Sequence, residues 1–152
     1  MIKVYEMTHG HRYWDEVIEF AEKCSWKAGP FLAEQMRTNR FSDFERVFAV
    51  CDNENIMGFC TFTEKDELSE EYDFSPFIGF MFIDEAYRGN RLSEKLIQYV
   101  EKYADRCGFD KIYIMSGEIG LYEKYGFQKM GDYKTIYDTM DQLFVKNIKT
   151  SN

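Results

Sequence analysis

The chain has 152 residues, 45% of them hydrophobic and 30% charged, with only two prolines; that is the size of one ordinary domain with a real core, and it argues against disorder. A formal net charge of −8 repels a phosphate polymer and excludes nucleic acid as a main partner. No apolar run approaches a membrane span, and Cys24, Cys51, Cys60 and Cys107 show neither CxxC spacing nor a disulfide-dense pattern.

In chain order, Ile2 to Met7 alternates apolar and polar residues, as an edge strand does. Tyr13, Val17, Phe20, Ala21 and Cys24 fall at helical spacing, Gly29-Pro30 breaks the chain, and Phe31 to Arg40 predicts a second helix. Arg46 to Cys51 and Ile56 to Thr63 read as a hairpin joined by Asp52-Asn53-Glu54-Asn55. Lys65 to Ser75 is a polar, mostly acidic loop, and Phe77 to Ile83 is a nearly continuous apolar run of the kind a strand buried on both faces shows. Leu92, Leu96, Ile97, Val100, Ala104 and Cys107 form one helical stripe, which Gly108 ends. Lys111 to Met115 predicts a strand, Ile119 to Tyr125 a short helix stopped by Gly126, and Gln128 to Met130, Thr135 to Tyr137 and Leu143 to Ile148 further strands. The order β-α-α-β-β-β-α-β-α-β-β describes an α/β chain with a mixed sheet and helices on its faces, expected as a single domain over residues 1–152.

Two segments carry chemistry. Arg88-Gly89-Asn90-Arg91-Leu92-Ser93 follows the buried strand and opens a helix, so unpaired backbone N–H groups and the positive end of the helix dipole offer a phosphate site. The plainer alternative is that Asn90 caps the helix while Arg88 and Arg91 are solvated surface charges. Further on, Leu121-Tyr122-Glu123-Lys124-Tyr125-Gly126-Phe127 brings a phenol to the same sheet edge; packing alone is the alternative role for these tyrosines. A pyrophosphate cradle followed by a positioned phenol suggests coenzyme A chemistry.

These residues resemble the GCN5-related N-acetyltransferases from Phe77 to Phe127, and the element order agrees over most of the chain. The family's phosphate loop runs Gln/Arg-x-x-Gly-x-Gly/Ala. Arg88 matches its first position, Arg91 replaces the middle glycine, and Ser93 replaces the last small residue. The resemblance implies the family's acyl-CoA N-acyltransferase fold, a central mixed, mostly antiparallel sheet flanked by helices. It also implies that the backbone of Phe80, Met81, Phe82 and Ile83 binds the pantetheine arm, with one N–H there holding the tetrahedral oxyanion. Arg88, Gly89, Asn90, Arg91, Leu92 and Ser93 are expected to anchor the pyrophosphate, the Arg91 side chain swinging outward to a phosphate and Ser93 donating its hydroxyl. Many relatives bond the pantetheine with an asparagine after the next strand; Met115-Ser116-Gly117-Glu118 lacks it, and Ser116 is the substitute.

In the family the tyrosine at the Tyr122 position protonates the departing thiolate. Full transfer from a phenol of pKa about 10 to a thiol of about 8.5 is uphill by roughly 2 kcal/mol. Tyr122 therefore needs a lowered pKa or acts as a hydrogen-bond donor. An alkyl ammonium, with pKa about 10.4, costs about 4–5 kcal/mol to deprotonate at pH 7, so a base or water chain is expected. Many relatives carry a glutamate within the buried strand, but Phe77 to Ile83 has no ionisable side chain. The nearest carboxylates upstream are Glu70, Glu71 and Asp73, and a relay through Asp73 and water is the candidate.

The implied activity is transfer of an acetyl group from acetyl-CoA to a primary amine by direct attack in a ternary complex, with a small-molecule or peptide amine as acceptor. A non-catalytic acyl-CoA-binding regulatory module is the alternative. The acidic loop suits a cationic acceptor. No metal is expected, since His9 and His11 lack further ligands; no membrane is expected, and no signal-like N-terminus points away from the cytoplasm. Pairing of an exposed final strand, Leu143–Ile148, would give a homodimer.

Overall fold

The computed structural model describes residues 1–148. Its elements are β1 (Ile2–Met7), α1 (Trp14–Lys23), α2 (Gly29–Arg37), β2 (Arg46–Asp52), β3 (Asn55–Thr63), β4 (Phe77–Ile83), a 3-10 turn (Glu85–Tyr87), α3 (Leu92–Arg106), β5 (Lys111–Ser116), α4 (Leu121–Lys124), β6 (Gln128–Lys134) and β7 (Met140–Asn147). The strands form one mixed sheet in the order β1-β2-β3-β4-β5-β7-β6, antiparallel throughout except between β4 and β5. The expected mixed, mostly antiparallel sheet with helices on its faces is what the chain adopts. Among the described residues no helix is long and apolar enough to cross a membrane.

Alternation along the strands sorts side chains between two faces. On one, the α3 stripe of Leu92, Leu96, Ile97, Val100 and Ala104 packs on Phe48, Phe62, Ile78, Ile112 and Phe144. On the other, Val17 and Ala21 of α1 and Leu32 and Met36 of α2 pack on Val47, Ala49, Phe59 and Phe82. A third cluster, Phe77, Tyr113 and Leu143, lies beneath Leu68 of the loop after β3. Each large apolar side chain so buried contributes about 1.5–3 kcal/mol before entropy is counted.

Four expectations change. Helix α2 begins at Gly29, not after Pro30, because proline in a first helical turn lacks only an N–H that has no intrahelical partner. Gly29 is also where the two helices touch: a Cβ there would collide with the Ala21 carbonyl oxygen and Cys24 Sγ. The pair Gly131-Asp132 does not end a strand; β6 runs through it to Lys134 by a register shift between Lys129 and Gly131, and Thr135 makes only an isolated bridge to Leu68. Cys107, expected in the core, is exposed at the end of α3. Finally, β7 is enclosed between β5 and β6, so it offers no free edge to a second subunit.

Candidate active site

The only parallel pairing in the described sheet is also its shortest. β4 and β5 are in register at Phe77–Tyr113 and Ile78–Ile114, and then they part. Just beyond, β4 carries an extra residue: Phe59 pairs with Phe82 but Thr61 with Gly79, so Phe80 and Met81 together face Cys60. Phe80 takes a left-handed backbone, φ 47°, which a bulky residue rarely adopts, and such outliers gather at working sites. The burial of β4 loosens at the same point, with Phe80, Met81 and Ile83 half-buried. The result is a cleft of about 1780 Å³, larger than the ~300–1,000 Å³ of an ordinary small-ligand pocket.

At one end of the cleft the chain turns into α3. Gly89 and Arg91 both have positive φ, 89° and 55°, with Asn90 between them, an alternation that forms a concave row of amides. The first helical bond is Lys95 N–H to the Arg91 carbonyl at 3.2 Å. Among the described residues, the N–H groups of Gly89 to Glu94 find no protein acceptor, so this end of α3 is open to an anion. The Arg91 side chain does not swing outward. It folds back on Glu94, Nε to Oε1 at 2.7 Å and Nη2 to Oε2 at 2.9 Å, and lies over the Tyr125 ring. Arg88 donates from Nε to the Ile83 carbonyl at 2.9 Å, tying the loop to the end of β4.

Helix α4 is one turn long and is held by its own end. The Tyr122 carbonyl accepts from the N–H groups of Tyr125 and Phe127, and Gly126 turns the chain at φ 94°. A Cβ on Gly126 would stand 3.0 Å from Lys146 Cε. Lys146 Nζ in turn bonds the Tyr125 carbonyl at 2.7 Å and Glu101 at 2.9 Å, so α4 is fastened to both β7 and α3. The Tyr122 ring is 3% exposed and packs on Phe127 and Phe144. Burial, with smaller contributions from Glu118 and Cys60, pushes its phenol well above 10, so it stays protonated at any physiological pH. A lowered pKa for Tyr122 is therefore not what the surroundings produce.

Across the sheet, the far wall is aromatic and acidic. Trp26 stacks on Phe82 with ring centroids 5.9 Å apart and planes 5° apart, and meets Phe80 at 6.1 Å. Asp66 and Glu67, from the loop after β3, face the same space. Burial pushes the Asp66 carboxyl up to about 7, with Glu67 and Asp141 adding to the effect.

Of the residues singled out from sequence, Phe80, Met81, Phe82, Ile83, Arg88, Gly89, Arg91, Leu92, Ser93, Ser116 and Tyr122 all line this one cleft. Asn90 and Asp73 are not among its lining residues. Asn90 donates its side-chain amide to the Tyr87 carbonyl at 3.0 Å, and the helix N-cap falls on Arg91. Asp73 is exposed on the loop. Ser93 Oγ is engaged by Tyr125 OH at 2.9 Å, and Ser116 Oγ accepts from the Glu118 N–H at 3.1 Å. Sequence reading passed over Asp66 as one carboxylate among many in an acidic loop. Its one distinguishing mark was its place three residues beyond the end of β3.

The family model described as "Acetyltransferase (GNAT) family" matches residues 10–127. No curated protein sequence matches the chain. Among solved structures, an aminoglycoside 6′-acetyltransferase type Ii superposes with a TM-score of 0.75 at 17% identity, covering 99% of both chains. An aminoglycoside 6′-N-acetyltransferase complexed with coenzyme A gives 0.72 at 15% identity, again over 99% of both. An acetyltransferase of the GNAT family from Staphylococcus aureus Mu50 gives 0.63 at 19% identity, over 98% of this chain and 100% of that one. At these identities the likeness is one of fold.

Proposed function

The chain belongs to the acetyltransferase (GNAT) family, and we propose that it moves the acetyl group of acetyl-CoA to a primary amine by direct attack while both substrates are bound. One observation carries the reading. The gap between β4 and β5, the free amides of Gly89 to Glu94 and the buried Tyr122 phenol all open on a single cleft.

In this reading the amides at the start of α3 hold the pyrophosphate, with the helix dipole behind them. The β4 edge from Phe80 to Ile83, freed where β5 departs, bonds the pantetheine arm as a neighbouring strand would. An amide at the bulge holds the oxyanion. Ser116, whose oxygen accepts from the Glu118 N–H, adjoins the Tyr122 phenol and presents its hydroxyl to both that phenol and the pantetheine. Tyr122, protonated and partly desolvated, donates a hydrogen bond to the sulfur as the thiolate leaves. Arg91 contributes through its backbone, which takes the left-handed conformation that the family's glycine would supply, while its side chain is held by Glu94. That removes one reason for reading the chain as a binding module without turnover.

The acceptor enters from the opposite wall, between Trp26 and the Asp66–Glu67 loop. The exposed apolar side chains of Phe31, Ile119, Ile136 and Tyr137 line that entrance. A small-molecule or peptide amine carrying a positive charge beside an apolar part fits such walls.

Thiol release from acetyl-CoA, followed over a panel of small amines, polyamines and peptide amines, tests the proposal. Amine-dependent release is the expected result. Calorimetric binding of acetyl-CoA without release across the panel would assign the chain to the binding-module class instead.

A further inference from the structure

We propose that Asp66 is the proton acceptor for the incoming amine, its carboxylate seated over the bare Cα of Gly79 at the mouth of the β4–β5 gap. The inference rests on the acetyl-transfer reading above and adds the base that the buried strand lacks.

A Cβ built on Gly79 would stand 2.5 Å from Asp66 Oδ1 and 3.1 Å from Thr61 Oγ1. Gly79 is not among the positive-φ residues, so backbone conformation does not require a glycine there. What requires it is the carboxylate lying against it. Gly79 immediately precedes the bulged pair Phe80–Met81 and follows Ile78, the last β4 residue in register with β5. The neighbouring loop thus delivers a carboxylate to the point where the strand has no side chain of its own. Glu70, Glu71 and Asp73, the nearest carboxylates upstream of β4, do not line the cleft.

Direction matters too. Thr61 lies two residues from Phe59 on β3, so Asp66 meets the gap from the face covered by α1 and α2. Tyr122 packs into the core beneath α3, on the opposite face. A base on one side of the gap and a hydrogen-bond donor on the other suit a reaction that takes a proton from nitrogen while negative charge develops on sulfur.

Burial makes Asp66 a useful base. Its carboxyl is raised from 3.8 to about 7, which makes it about a thousandfold more basic than an ordinary aspartate, yet still ionised in half or more of the molecules at pH 7 and above. The charged groups that act on it are Glu67 on its own loop and Asp141 on β7, both raising it, with the Glu67 amide opposing. Glu64, Lys65 and Glu118 line the same cleft.

The steps balance. The bound ammonium yields one proton to Asp66, and the freed lone pair forms the C–N bond as the carbonyl π pair moves to oxygen. When that pair returns, the C–S bond breaks. The Tyr122 O–H, which keeps its proton, holds the leaving thiolate by a hydrogen bond, and the thiolate takes up by way of solvent the second proton that nitrogen gives up. An amide, a thiol and a protonated Asp66 result, and solvent resets the carboxylate.

The test compares wild type, Asp66→Asn, Asp66→Glu and Gly79→Ala. In the free protein, carboxyl ¹³C NMR is expected to show one aspartate titrating near 7 that Asp66→Asn removes; its absence overturns the proposal. With an alkyl amine, kcat/KM in wild type should rise with pH through about 7. Asp66→Asn should lose this limb and about 10²–10⁴-fold in kcat, with acetyl-CoA binding unchanged by calorimetry. Asp66→Glu should restore part of the rate, and Gly79→Ala, which displaces the carboxylate without removing it, should lower kcat. Hydroxylamine, already neutral at pH 7, should react nearly as fast with Asp66→Asn as with wild type; an equal loss for both nucleophiles marks a structural role and overturns the proposal. Retention of rate and limb in Asp66→Asn overturns it while leaving acetyl transfer intact. Absence of turnover in wild type overturns both.

Discussion

Arg91 and Glu94 close on each other across the first turn of α3 through two charge-assisted hydrogen bonds, 2.7 and 2.9 Å long, while the Arg91 backbone sits at φ 55°. The guanidinium is turned back along its own helix and not outward from the turn. What the position supplies to the loop is its conformation.

Arg91→Gly should therefore keep the affinity for coenzyme A within about threefold, because the exposed pair is worth little and glycine adopts the same φ freely. Isothermal titration at two salt concentrations measures it. A loss of tenfold or more, shrinking at high salt, would give the Arg91 side chain a phosphate role.

Tyr122→Phe removes the one polar atom of a buried ring and keeps its packing. We expect kcat to fall by about 10²–10⁴-fold with KM for acetyl-CoA little changed. Because burial raises the phenol, no alkaline loss of kcat from Tyr122 should appear below pH 9 in the wild-type profile. Full turnover in the variant excludes the hydroxyl from the reaction.

Asp66 also makes a prediction about stability. Its folded pKa, about 7, lies above the unfolded value of 3.8, so the folded form favours the protonated carboxyl. That contribution is complete below the unfolded pKa and is lost as pH rises through about 7. Asp66→Asn escapes the loss. Its stability relative to wild type should increase by about 2 kcal/mol between pH 5.5 and pH 8.5 in urea unfolding. A pH-independent difference places the carboxylate in water.

Gly29→Ala tests the α1–α2 contact. The added methyl meets the Ala21 carbonyl oxygen and Cys24 Sγ, and the helices must separate to admit it. We expect a loss of about 1–3 kcal/mol in denaturant unfolding, with coenzyme A affinity unchanged because the site proposed for it is built from β4 and α3.

Much of the site was legible because its parts are local. The alternation and apolar runs of β2 to β5 and the stripe from Leu92 to Ala104 marked their elements by period alone. The turn from Arg88 to Ser93 and the motif from Leu121 to Phe127 are each built from a few consecutive residues, most of which line one cleft. Where reading failed, local rules were outvoted. Gly29-Pro30 reads as a break until α2 is seen to start on it, and Gly131 reads as a break until pairing with β7 carries β6 through it.

By itself the sequence determined the element order, the sheet class, the turn that opens α3 and the place of the phenol, since each follows from periodicity or from residues adjacent in the chain. Only the tertiary structure decided that the Arg91 backbone is left-handed while its side chain pairs with Glu94, that Asp73 is not among the lining residues of the cleft, and that Asp66 lies against Gly79. Those facts depend on how a turn closes on its own helix and on which loop residue meets which strand, and neither shows in the period of the sequence. Residues 66 and 79 are joined by a loop whose acidic composition conceals which carboxylate the fold will bury.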